Sequence, residues 1–240
     1  MRIFITGSSR GLGAAMARHF AQNGHDVAIN GSADWDGLNS AADSLREIAA
    51  GQILSIFADM SDYEVARAAF GQIADAFGGL DLLINNAGVA HIGLFSDMRP
   101  PLWQSLIAIN QLAMLNCSHL AIPLMLKEQK GHIINISSIW GEAGASCEAV
   151  YSMTKGAVNS FTKALAKELA PANIRVNAIA PGVMDTEMNN FLTQNERKSL
   201  AESIPLGYFG HPNEIAKAAQ FLIDCNYITG KILTIDGGLI

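Results

Sequence analysis

Residues 149–170 read AVYSMTKGAVNSFTKALAKELA and place a phenol, Tyr151, four positions before an ammonium, Lys155. Residues i and i+4 are neighbours on one helix face. A free tyrosine ionises near about pH 10, and a cation beside it favours the phenolate. Such a pair can give and take a proton at neutral pH. Y-x-x-x-K alone does not separate that use from a tyrosine packed in an amphipathic core beside a solvated lysine. Its companions in the chain decide.

A second constellation lies at Thr6-Gly7-Ser8-Ser9-Arg10-Gly11-Leu12-Gly13, between an apolar run and the start of a helical pattern. Glycines let the backbone turn tightly and approach a ligand, and a helix N-terminus offers free N–H groups and the positive end of its dipole. A pyrophosphate fits there. The spacing is G-x-x-x-G-x-G rather than G-x-G-x-x-G, and no Walker A lysine follows. A third glycine just inside a helix costs about 1 kcal/mol, more than a turn without a ligand requires.

These groups need a scaffold. Apolar strands are expected at 2–6, 25–30, 52–59, 81–86, 132–138, 174–181 and 231–236, and helices at 14–24, about 38–50, 61–79, about 101–127 and 149–170. Strands without strict alternation, each followed by a helix, predict a parallel sheet covered on both faces. Right-handed crossovers make this a doubly wound α/β sheet of about seven strands. No linker, repeat or low-complexity tract divides residues 1–240, so a single Rossmann-like domain is expected. Residues 182–211 exceed ordinary loop lengths and predict a partly helical lid over a site.

Half the residues are apolar, 16% are charged, 22 are glycine and the net charge is −6. That acidity argues against a nucleic-acid partner, which needs clustered Lys and Arg. No run approaches 18 apolar residues, so no membrane partner is expected. MRIFITGSSRG shows no secretory h-region, and three distant cysteines imply no disulfide framework. The six histidines show no ligand spacing, so no metal site is expected. The expectation is a soluble, cytoplasmic protein.

In order, the chain carries T-G-x-x-x-G-x-G at 6–13, D-M at 59–60, N-N-A-G at 85–88, Asn110 in a helical stretch, Ser138, Y-x-x-x-K at 151–155 and P-G at 181–182. Each is weak alone. Together they resemble the short-chain dehydrogenase/reductase family from end to end. GSSRGLG, NISS, RVNAIAPGVMDTEM and YITGKILTIDGG are most similar to β-ketoacyl-[acyl-carrier-protein] reductases.

The resemblance implies hydride transfer between a nicotinamide cofactor and a carbonyl, with four catalytic residues. Tyr151 would donate the proton, and Lys155 would lower the phenol's pKa and hold the nicotinamide ribose. Ser138 would hold the substrate oxygen, and Asn110 would connect Lys155 to solvent. Ser138 ends the strand HIINISS, where open sheets place ligands. Ser137 competes for its role, and the family spacing to Tyr151 favours Ser138. The glycine loop, Gly7, Ser8, Ser9, Arg10, Gly11, Leu12 and Gly13, is expected at the cofactor's phosphates. Asp59 and Met60 are expected beside the adenine, and Asn86, Ala87 and Gly88 at the adenosine ribose. Pro181, Gly182, Val183, Met184 and Thr186 should meet the nicotinamide carboxamide.

In dinucleotide folds an acid about 20 residues beyond the glycines binds the ribose 2′-OH. Here the second strand ends Asn30-Gly31-Ser32 without one. Arg10 is placed to reach a 2′-phosphate and Ser32 to donate to it, while Asp34 and Asp36 read as solvated turn residues. NADP(H) is favoured over NAD(H).

The leading expectation is a 3-oxoacyl-[acyl-carrier-protein] reductase, its ketone or acyl-thioester substrate carried on acyl carrier protein. SSIWGEAGASCEAVYS also resembles reductases acting on a keto group of a modified protein side chain, of elongation factor P type. A small ketone or secondary alcohol is a third substrate class, and a non-catalytic NADP(H)-sensing protein is a reading of another class. An acidic carrier needs basic residues at the site mouth. Gln129 and Ala172 stand where the resemblance leads one to expect arginines, leaving Lys127, Lys130 and Arg175 as substitutes. The helices at 101–127 and 149–170 carry apolar residues on more than one side. The resemblance implies that these helices pair across a two-fold axis and that the apolar C-terminal strand forms a second interface, giving a homotetramer.

Overall fold

The computed structural model describes residues 1–240. Seven strands form one parallel sheet in the order β3-β2-β1-β4-β5-β6-β7. They are β1 (Arg2–Ile5), β2 (Asp26–Gly31), β3 (Ile53–Phe57), β4 (Leu82–Asn85), β5 (Gly131–Ile136), β6 (Ile174–Pro181) and β7 (Ile232–Ile235). The helices are α1 (Gly11–Gln22), α2 (Trp35–Arg46), α3 (Tyr63–Phe77), α4 (Pro100–Ile107), α5 (Ala113–Glu128), α6 (Ala149–Leu169), α7 (Gln194–Ser203) and α8 (Pro212–Asp224). The order reverses between β1 and β4, opening the crevice at the strands' carboxyl ends where such sheets bind ligands.

Both faces of the sheet are covered. Ile3 and Ile5 of β1 join Phe20, Ile29 and Ile215 in a core beneath α1, α2 and α8. Phe4 points the other way, into a core with Phe70, Leu83, Met125 and Val176 beneath α3, α5 and α6. Alternate residues feeding two apolar layers explain why the strands read as continuous apolar runs.

Helix ends follow their caps. Asp62 accepts from Glu64 N and Val65 N to start α3, and Gly78 ends it at φ 74°. Asp34 accepts from Gly37 N, so it caps α2 rather than lying free in a turn, and α2 begins earlier than expected. The region expected as a lid contains α7, opened by a capping box between Thr193 and Glu196. An element absent from the expectation is α8, whose Ile215, Ala219 and Leu222 pack into the first core.

The helix over Pro100–Glu128 is continuous, with a π-helical segment, Ala108–Leu112, between α4 and α5. By length and hydropathy it is long and apolar enough to cross a membrane, yet Ala113, Cys117, Ala121 and Met125 pack against the sheet. Its outer face leaves Leu102, Leu112, Leu115 and Leu126 exposed. In α6, by contrast, Val158, Leu165 and Leu169 are buried within the protomer. They therefore supply no second apolar face.

A chain of buried side chains crosses the sheet under the crevice. Asn85 Nδ2 donates to Ser118 Oγ at 3.1 Å and to Asn135 Oδ1 at 2.8 Å, and Asn135 Nδ2 donates to Thr162 Oγ1 at 2.9 Å. It ties α5, β4, β5 and α6 at one level. Replacing Asn135 by Ala leaves Asn85 with Ser118 and Thr162 with the Val158 carbonyl. It takes one bond from each and leaves an Asn85 N–H unpaired, and a buried unpaired group costs about 1–3 kcal/mol. Chemical denaturation of Asn135→Ala should show a loss of at least that size. A loss under about 0.5 kcal/mol would mean that the chain of bonds is dispensable.

Candidate active site

The loop after β1 is shaped by contact. A Cβ on Gly7 would lie 2.8 Å from Ala87 Cα, and one on Gly13 would lie 2.5 Å from Gly7 O and 2.6 Å from Asn86 Nδ2. Gly7 and Gly11 adopt φ 60° and 58°, a region that favours glycine. Unlike the others, Gly11 has nothing within 4 Å of its added Cβ. Two glycines close the loop, and the third faces open space. The first turn of α1 contains no acid, so its free N–H groups form an uncompensated anion-binding end. A cavity of about 770 Å³ borders Ser9, Gly11, Arg18 and Glu187. This cradle fits a dinucleotide's phosphates.

Several residues expected at a cofactor spend their side chains on the fold instead. Ser8 is fully buried, donating to Ile5 O at 2.7 Å and accepting from Asn30 N at 2.9 Å. Asn30 donates to Ile56 O and Ala58 O. Asn86 donates to Thr6 O and Gly7 O, while Thr6 Oγ1 accepts from the N–H groups of Asn86 and Ala87. Met60 and Met184 pack in the cores, and Asp59 accepts from Ser61 N. Such residues shape the loop edges and leave mainly backbone for a ligand. Arg10 is exposed, its Nη1 3.5 Å from Glu187 Oε2 in the segment between β6 and α7. Ser32 is exposed at the end of β2 beside Gly31. After β6, Gly182 is forced by proximity, since its Cβ would sit 2.7 Å from Asp236 Cα. Val183 and Thr186 remain partly exposed there.

At the other end of the crevice, Ser138, Tyr151, Lys155 and Asn110 come together. The Ser138 hydroxyl acts on the Tyr151 phenol, favouring its charged form. Ser138 Oγ also accepts from Trp140 N at 3.2 Å. Lys155 Nζ donates to Ile136 O at 2.8 Å and lies 5.7 Å from the Tyr151 ring centre. Asn110, in the π segment, donates to Val89 O at 2.9 Å and Thr154 Oγ1 at 3.1 Å, and its Oδ1 accepts from Val89 N at 2.8 Å. It clamps the turn after β4 against α6. A Cβ on Gly88 would lie 3.3 Å from Lys155 Nζ and 3.4 Å from Asn110 Oδ1, so both border one small space.

Burial governs both titrating groups. It pushes the Tyr151 phenol up; the Ser138 hydrogen bond pulls it partly back, Glu148 adds a rise, and the outcome is about 12. It brings the Lys155 ammonium down to about 8. The spacing pointed to Lys155 lowering the phenol; burial is the largest influence on it and acts in the opposite direction. The pair is a neutral phenol beside a mostly charged ammonium at neutral pH, an arrangement suited to donating a proton rather than accepting one.

Ser137 and Ser138 take different paths. Ser137 Oγ is 2.6 Å from Asn159 Oδ1 and 3.2 Å from Lys155 O, and Asn159 Nδ2 donates to Gly141 O at 3.3 Å. Ser137 thus anchors α6 and only Ser138 meets the phenol. Sequence reasoning passed over Thr154 and Asn159. Their signal was available: polar residues three and eight positions after Tyr151, on the buried side of an amphipathic helix.

A family model described as short chain dehydrogenase matches residues 1–197. The 3-oxoacyl-[acyl-carrier-protein] reductase FabG of Chlamydia trachomatis is 38% identical, over 98% of this chain and 95% of that protein. An uncharacterized oxidoreductase of Bacillus subtilis, YmfI, is 37% identical over 98% of this chain and 96% of that one. The crystal structure of a 3-oxoacyl-[acyl-carrier protein] reductase from Brucella melitensis superposes with a TM-score of 0.92 at 30% identity, covering 99% of this chain and 90% of that one.

Because Ser137 and Asn159 share one bond while each keeps another of its own, Ser137→Ala and Asn159→Ala should each slow turnover, and the double variant should lose less than the two single losses combined. Such non-additivity marks coupled neighbours. Steady-state kinetics on all three variants checks it, and additive losses would mean that the two act separately.

Proposed function

Since the chain belongs to the short-chain dehydrogenase family, we propose that it is an NADPH-dependent carbonyl reductase with Tyr151 as its proton donor. The observation that carries this reading is the buried Tyr151 phenol with the Lys155 ammonium 5.7 Å from its ring centre and Ser138 acting on it. Bound along the crevice, the reduced nicotinamide would supply the hydride. Gly7, Ser9, Gly11, Leu12 and Gly13 would hold its phosphates, with Ala87, Gly88, Pro181, Gly182, Val183 and Thr186 along the rest of its length. Ser138 orients the substrate oxygen toward the phenol, and Tyr151 protonates it as negative charge develops. Lys155 holds the nicotinamide ribose and the positive field. Asn110 fixes the turn at Gly88 beside Lys155, where a proton can be resupplied.

The preference for NADPH rests on Arg10 and Ser32. The nearest acid beyond β2, Asp34, is engaged as a helix cap. Arg10 is held only by an exposed pair with Glu187, worth little in water, so a 2′-phosphate can take its place.

The relatives named as 3-oxoacyl reductases support a β-ketoacyl thioester on an acyl carrier protein as substrate. A specific observation favours a second reading. Arg175 donates to the carbonyls of Leu222, Ile223, Cys225 and Ile228, so it closes α8 and cannot dock an acidic carrier. With Lys127 and Lys130 alone, the basic surface is thin, which supports a keto group on a modified protein side chain, of elongation factor P type, or a small ketone. We read residues 1–240 as one domain with the lid at 182–211, working in the cytoplasm as a homotetramer. The exposed leucines on α4 and α5 support the assembly.

Tyr151→Phe should lower ketone reduction by about 10²–10⁴-fold, the usual worth of a positioned acid, while NADPH binding measured by fluorescence persists. Retention of more than about a tenth of turnover would mean that another group protonates the oxygen. Arg10→Ala should weaken NADPH binding by roughly 10–100-fold, as a lost charge-assisted bond of about 1.5–3 kcal/mol implies, and leave NADH nearly unchanged. Equal losses would place Arg10 at the pyrophosphate. The substrate class is tested by NADPH consumption with acetoacetyl thioesters, diketones and simple ketones. No oxidation of NADPH with any of them would contradict the reductase reading.

A further inference from the structure

Glu148 bears on what the ketone carries. It is the N-cap residue of α6, three positions before Tyr151, and residues at that spacing are neighbours on a helix. Its side chain makes no capping bond; the side chains that ordinarily cap there are the shorter Ser, Thr, Asp and Asn. No ion pair in the chain includes it. Lys155, the cation nearest to it in sequence, donates instead to Ile136 O.

The surroundings offer no other compensation. Gly93 N donates to Cys147 O at 2.8 Å, which brings the segment after β4 against the residue preceding Glu148. Residues 89–99 of that segment carry two basic side chains, His91 and Arg99, and neither forms an ion pair with Glu148. Glu148 is half-buried, burial pushes its carboxyl up, and its charge is felt at the Tyr151 phenol. A partly desolvated carboxylate without a partner is unfavourable. The helix dipole offsets only part of that cost. Such a group beside a proton donor is best compensated by a cation that arrives with the substrate.

We propose that Glu148 reads substrate charge, favouring ketones with a cationic group near the carbonyl and disfavouring those with an anionic one. This rests on the carbonyl-reductase reading and selects among its substrates. A carboxylate at the edge of the site attracts a cation and repels an anion over several ångströms, and added salt weakens both effects.

The test uses three ketones of matched length: one ending in a trimethylammonium group three methylenes from the carbonyl, its neutral tert-butyl isostere, and the corresponding carboxylate. Wild-type kcat/KM should fall from cation to neutral to anion, by roughly tenfold at each step at low ionic strength. The order should flatten with added salt. In Glu148→Gln the cation-to-neutral ratio should drop to near one, and Glu148→Asp should restore part of it. Equal kcat/KM for the three ketones, or a ratio unchanged in Glu148→Gln, would overturn the proposal while leaving the reductase reading intact. Absence of NADPH oxidation with these ketones and with acetoacetyl thioester would overturn both.

Discussion

Removing a lysine ammonium from water is costly, and the candidate site is organised around one that the fold buries. Lys155 keeps one protein acceptor for its ammonium, the Ile136 carbonyl at the carboxyl end of β5. Its own main chain lies against Gly141, whose added Cβ would meet Lys155 C at 2.6 Å. Helix α6 can approach the sheet that closely only because residue 141 lacks a side chain. The same approach brings Tyr151, one turn earlier, to Ser138 and out of solvent. Burial then sets both titrations, raising the phenol and lowering the ammonium. Few of the other features at this end of the crevice would matter if α6 stood a few tenths of an ångström farther out.

The polar groups around this crossing divide by what they hold. Ser137, Asn159, Asn135 and Thr162 bind one another and the backbone, so they fix where α6 sits. Asn110 and Thr154 do the same for the turn after β4. Ser8, Asn30 and Asn86 lock the loop after β1 through buried bonds. Less committed are the open face at Gly11, the N-terminus of α1, the phenol, Glu148, Arg10 with its exposed pair to Glu187, and Ser138, whose oxygen accepts from Trp140 N. A ligand in the crevice would meet a rigid frame with few uncommitted groups, the preorganisation on which electrostatic catalysis depends.

Much of this was legible in the sequence. The seven strands stood out because both faces of a parallel sheet are apolar, and the glycine spacing around Gly7, Gly11 and Gly13 marked the loop. Ser138 and Tyr151 were singled out by the family resemblance. Other features depend on tertiary contact. Whether Asn30 meets a ligand or the carbonyls of Ile56 and Ala58 is decided by β3 lying beside β2, which local pattern does not encode. Arg175 looked like a surface cation until α8 placed four carbonyls around it. At Tyr151 the spacing reveals a nearby cation and not the depth of burial, which pushes the phenol up.

The central claim is that burial keeps Tyr151 protonated, making it an acid when a ketone is reduced. Near-ultraviolet difference titration of the cofactor-free protein against Tyr151→Phe measures this directly, since phenolate and phenol absorb differently. The account predicts no phenolate signal from Tyr151 through the neutral and mildly alkaline range, with ionisation approached only toward about pH 12 or the alkaline limit of the fold. A phenolate difference signal titrating near pH 8, where Lys155 itself loses its proton, would show instead that the ammonium outweighs desolvation and would contradict the account.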